Sequence, residues 1–199
     1  MKILVVLLSA AFAVLYPLLI HLGIDYVAPR HLAILVVLAA GLRLYVVRKR
    51  KSMNLRAFMP FVLVGIGSAV IVFFTDNALV LLHIPTFVNL GLFILFMRSY
   101  LHPPTVIENF ARMDYPVMPA NAIRYCSRVT LVWSASLLLC TCTCFYLAQF
   151  GSRSAWLAWS SVGIYAYHGV VFGVEYLVRR TQTPAFDRAL EDMRATEQG

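Results

Sequence analysis

Apolar residues run along this chain in long unbroken stretches, without the alternation of a half-buried strand. A helix needs about 20 such residues to cross the hydrocarbon of a bilayer. Six stretches come near that length: Ile3–Gly23, His31–Val47, Phe58–Phe74, Ala78–Met97, Val129–Phe150 and Ala155–Val178. In lipid each must satisfy its own backbone donors and acceptors, which a helix does. The expected fold is therefore all-α, a polytopic membrane bundle of six transmembrane helices. Pro17, Pro60 and Pro85 are expected to kink or start their helices.

The first stretch also mimics a secretory signal, with Lys2 ahead of it and a cleavage-like Ala11-Phe12-Ala13. However, the apolar run continues through Leu15-Tyr16-Pro17-Leu18-Leu19-Ile20, whereas a cleaved signal gives way to polar sequence. An uncleaved first helix is expected.

Composition supports the membrane reading. The chain is 61% hydrophobic and only 13% charged, against about 25% charged in ordinary soluble domains. Too few polar residues remain to face water, which excludes a soluble enzyme domain, a disordered chain and a disulfide scaffold. The net charge is +8. The basic residues lie between apolar runs and form no separate domain, so they read as topology and not as a nucleic-acid surface.

Lys2, Arg48, Lys49, Arg50, Lys51, Arg56, Arg98, Arg112, Arg124, Arg128, Arg179, Arg180, Arg188 and Arg194 fall on one side of a six-span arrangement. Only Arg30 and Arg153 fall on the other, with Arg43 inside the second span. This bias places both termini in the cytoplasm. Residues 1–180 then form the transmembrane domain. Residues 98–128 form its one sizeable cytoplasmic loop, and 181–199 a cytoplasmic tail.

In the loop, Thr105 and Glu108 fit a capping box. Glu108 and Arg112 stand at i and i+4 and can pair. Ile107, Phe110 and Ala111 share a face, as a short helix lying on a membrane requires. The tail restarts at Thr183-Pro184, with an apolar stripe of Phe186, Ala189, Leu190 and Met193. This predicts a separate short amphipathic helix.

Ionisable residues inside spans are candidates for function. Arg43 and Glu175 come at similar depth near the cytoplasmic boundary and are expected to pair. Tyr165, His168 and Glu175 form a polar stripe on the sixth span, which equally fits interhelical hydrogen bonding. Gly169 with Gly173, and Gly65 with Ala69, predict close helix packing. Cys140, Cys142 and Cys144 read as core residues. Cys126, beside Arg124 and Arg128, is the single weak candidate for a reactive thiol. His21 and His83 lack further ligands at a fitting spacing, so no metal or other cofactor is expected. No nucleophile elbow, phosphate loop or zinc-protease motif is present.

Several motifs in order carry a resemblance: Leu15-Tyr16-Pro17-Leu18-Leu19-Ile20-His21, Met97-Arg98-Ser99-Tyr100-Leu101, the run from Pro104 to Arg112, the run from Arg124 to Thr130, and Gly173-Val174-Glu175-Tyr176-Leu177. They resemble a family of small predicted inner-membrane proteins encoded with aryl-polyene (xanthomonadin-type) pigment genes in Gram-negative bacteria. From about Val47 to Arg180 the chain is also similar to the intracellular septation protein A family. Glu108 and Glu175 fit the pigment-associated family better.

The resemblance implies an accessory protein that handles a polyene lipid at the cytoplasmic face of the inner membrane. Membrane lipids are its implied partners, with acyl carrier protein or other pigment-synthesis enzymes as candidates. Some members of that family are labelled ketosynthase, but this chain lacks the soluble thiolase-like domain that chemistry needs. Three alternatives stand beside the accessory role: a membrane-bound acyl-transfer enzyme, a septation or envelope-maintenance protein, and a small transporter. The candidate functional residues are Arg43, Arg98, Glu108, Arg112, Arg124, Arg128, His168 and Glu175.

Overall fold

A computed structural model describes residues 17–18, 20–23, 26–34, 37–38, 41 and 66–198. Among these the fold is all-helical, with no strand. After short helical segments at 20–23 and 29–34, the elements are α1 (Ile66–Thr75), α2 (Ala78–Leu82), α3 (Ile84–Leu101), α4 (Val106–Asp114), α5 (Ala120–Phe150), α6 (Arg153–Ala158), a π-helical turn at Trp159–Gly163, and α7 (Ile164–Gln198).

Three stretches among the described residues are long and apolar enough to cross a membrane, not six: Ile84–Leu101, Ala120–Phe150 and Arg153–Phe186. Most of the first two predicted spans, and the start of the third with Pro60, lie outside the described residues. On α7, Val170, Phe172, Val174 and Leu177 are exposed. So large an apolar surface suits lipid as the surrounding solvent.

The described residues form two compact units. One comprises those up to Gly91 together with Leu139–Tyr165. Its core gathers Ile20, Leu32, Ala33, Ala69, Val72, Leu81, Ile84, Ala148 and Trp156. Each of the six apolar runs contributes at least one of these residues. Two predicted external turns also meet here, where the backbone N–H of Arg30 donates to the Asp76 carboxylate at 3.0 Å. Asp76 adopts a positive φ of 49°, which a short polar side chain tolerates. Asn77 next caps α2 by accepting from the Leu79 amide.

The fourth apolar run is not one helix. It breaks at His83 because Pro85 has no N–H to donate to Leu81 and its ring would crowd that carbonyl. The indole N–H of buried Trp156 donates to the neighbouring Leu82 carbonyl at 2.9 Å. In the π-helical turn, Gly163 lies under the Trp159 ring, and a Cβ there would fall 2.6 Å from Trp159 Cε3. A larger residue would have to displace the indole.

The second unit comprises Leu92–Leu138 and the residues from Ala166 onward. Here α5 begins nine residues before the predicted span, so Arg124 and Arg128 belong to a helix and not to a loop. Ala122, Cys126 and Val129 are buried at helical spacing and carry the helix through the charged turns. The expected separate tail helix is also absent: α7 continues through Pro184 to Gln198. Around the proline, the Thr183 hydroxyl donates to the Arg179 carbonyl at 3.1 Å and Thr181 donates to Val178 at 2.7 Å. The one carbonyl that Pro184 leaves without its i+4 donor is that of Arg180.

Candidate functional site

The second unit holds most of the predicted polar residues. Ser99 near the end of α3 accepts from the Val106 amide at 3.1 Å. This contact turns the chain into α4. Buried Thr105 caps α4 by accepting from the Glu108 amide at 3.1 Å, the Thr105 half of the expected capping box, while the Glu108 carboxylate turns to Arg112. Glu108 then accepts from Arg112 Nη2 at 2.7 Å and Nε at 2.9 Å. The helix is turned with its charge inward: Glu108 is 4% exposed, whereas Phe110 is 63% and Met113 72% exposed.

Next to this pair, α5 and α7 run antiparallel. Asn121 donates to the Ala185 carbonyl at 3.3 Å. Tyr125 donates to the Glu175 carboxylate at 3.2 Å and its ring meets Phe186. Further along, Trp133 stacks on His168 with ring planes 2° apart, and Tyr167 donates to the Ser136 carbonyl at 3.3 Å. Between these contacts lies a groove of about 650 Å³. Valines of both helices and Trp133 form its walls, and Arg124, Arg128 and Glu175 stand along it.

The Glu175 carboxylate also lies 3.6 Å from Arg179. Arg124 and Arg128, both exposed, have no ion-pair partner among the described residues. Cys126 lies on the buried side of α5. That thiol is 4% exposed, which removes the accessibility a nucleophile needs.

Of the eight candidates, the structure brings Arg124, Arg128 and Glu175 to one groove and pairs Glu108 with Arg112. His168 meets the neighbouring helix by stacking on Trp133, where interhelical hydrogen bonding was expected. Arg98 is exposed near the end of α3. Arg43 lies outside the described residues, as do Gly65 and the cytoplasmic end of the second predicted span. Gly169 and Gly173 depart from the close packing expected of them, since a Cβ at either would meet no atom within 4 Å. Tyr165 is exposed and adds nothing to the groove. Tyr125 and Trp133 were missed as site residues. Their i, i+8 spacing on one face of α5, flanking Arg128, was the available signal.

Cys140 and Cys144 are buried one turn apart, consistent with core packing, while Cys142 is exposed. No group of three or more metal-ligating side chains occurs among the described residues. The fold and composition thus define an all-helical protein with helices suited to crossing a membrane. The chain matches no protein-family model, no curated protein and no solved structure.

Proposed function

We propose that this protein is a multi-pass inner-membrane accessory protein that supports synthesis or handling of an aryl-polyene-type lipid at the cytoplasmic face. It crosses the membrane six times with both termini cytoplasmic. The single observation that carries this reading is the inverted α4, with Glu108 buried and Phe110 and Met113 outward. Such a helix is suited to lying on a bilayer with its apolar face down. There it would hold the Glu108–Arg112 pair beside the basic residues of the inner side. The contribution of all six apolar runs to one core supports the six-span arrangement. The lipid class comes from the family resemblance.

The test is the Glu108→Ala/Arg112→Ala double variant in a pigment-producing host. Loss of polyene-lipid output at normal membrane accumulation is the expected result. Wild-type output would reduce the segment to a spacer and overturn the reading.

A further inference from the structure

We propose that the groove between α5 and α7 binds a single-chain amphiphile with a carboxylate head, the head held by Arg124 and Arg128. This deepens the accessory-protein reading by naming a ligand class, and rests on that reading for its membrane setting. A volume of about 650 Å³ falls within the roughly 300–1,000 Å³ of small-molecule sites. From Asn121 to Trp133 the α5 side is about 18 Å long at the helical rise, a length suited to one extended chain. The Asn121–Ala185 contact bounds one end and the Trp133–His168 stack the other, with the Tyr125–Glu175 hydrogen bond crossing between them. Val132, Trp133, Val170 and Val174 offer the chain an apolar wall.

The head is set by charge. Arg124 and Arg128 stand at i and i+4, on one face of α5. Both are exposed along the groove without an ion-pair partner among the described residues. Glu175, on the same groove, is engaged by other partners: its carboxylate accepts from Tyr125 and lies 3.6 Å from Arg179. Two guanidinium forks present the planar donors that a carboxylate matches.

The test uses the purified full chain in a neutral maltoside detergent with cis-parinaric acid, a conjugated tetraene carboxylate. Its emission rises in a dry site and it accepts energy from Trp133. Saturable binding above protein-free micelles is expected, displaced by palmitate. Methyl palmitate should compete at least about tenfold more weakly, the loss expected for a charged hydrogen bond. Arg124→Gln/Arg128→Gln should weaken binding by about tenfold or more. Trp133→Phe should remove most of the energy transfer, and Val174→Trp should fill the groove. Arg180→Gln, outside the groove, should leave binding unchanged.

Equal competition by acid and ester, or wild-type affinity in the double arginine variant, overturns the proposal. So does displacement by phosphatidylglycerol at least as strong as by palmitate, which would make the ligand a two-chain phospholipid. If Val174→Trp fails to accumulate, the exposed arginine variants decide. Absent binding combined with lost pigment output in the α4 double variant overturns the ligand assignment alone. Intact binding with normal output overturns the accessory reading alone.

Discussion

One oxygen of the Glu108 carboxylate accepts from both Nε and Nη2 of Arg112, at 2.9 and 2.7 Å, yet the two side chains differ in exposure, 5% against 40%. The acid faces protein and the base reaches toward solvent. Arg112 also donates to the Pro116 carbonyl at 3.4 Å, so it ties α4 to the turn leading into α5. A buried carboxylate is costly unless it is hydrogen-bonded, and its partner one turn ahead meets that need.

Glu108→Ala should therefore loosen α4 before it affects the long helices. The expected loss is about 1 kcal/mol, at the lower end for a charged hydrogen bond because Arg112 is part-exposed. Hydrogen exchange should show faster exchange across Val106–Asp114, with α5 amides unchanged. Equal protection in variant and wild type would show that the Thr105 cap holds the helix unaided.

Trp156 anchors the other unit. It is 2% exposed and donates its indole N–H to Leu82 at 2.9 Å, beside the break at His83. Trp156→Phe keeps much of the volume and should cost about 1–2 kcal/mol, mainly for a buried carbonyl left unpaired. Trp156→Ala should cost about 3–5 kcal/mol by opening a cavity. Thermal unfolding in detergent ranks the two, and a Trp156→Phe midpoint equal to that of the wild type would show that the indole bond contributes nothing.

What the sequence made legible was what hydropathy and local spacing encode. The Thr105 cap, the Glu108–Arg112 pair, the start at Pro85 and the buried Cys140 all follow from i, i+3 and i, i+4 rules. Helix ends were less legible. Arg124 and Arg128 interrupt the apolar run, but they stand on the exposed side of α5, so the helix passes through them. Thr183-Pro184 marked the start of a separate helix, but losing a single i+4 bond at Pro184 does not end α7, which continues through it. The groove was illegible because it depends on where α5 and α7 touch, and the open face at Gly169 and Gly173 shows that spacing alone does not supply a partner.

The basic-residue bias predicts opposite sides for Arg153 and the C-terminus. Reporter fusions at Arg153 and at Gly199 should read periplasmic and cytoplasmic, respectively. Matching signals from the two fusions would sink the six-span arrangement, because its last span lies between them.

The exposed residues of α4 make the sharpest statement about the membrane. Phe110, Met113, Tyr115 and Val117 are all more than half exposed, while Thr105 and Glu108 on the same short segment are buried. A water-facing helix would reverse that pattern, because burying the apolar side chains is worth about 1.5–3 kcal/mol each and burying a carboxylate is not favoured. In the membrane-surface reading, the outward side that carries Phe110 and Met113 meets lipid. A nitroxide placed at Phe110 or Met113 in lipid nanodiscs should be more accessible to oxygen than to a water-soluble nickel chelate. One at Asn109 or Arg112, which are also exposed, should show less of that bias. Phe110→Asp should move its neighbours toward the nickel-accessible range and weaken the docking of α4. If labels at all four positions were equally accessible to the nickel chelate, α4 would lie in water, and the membrane-surface role of the loop would fall with it.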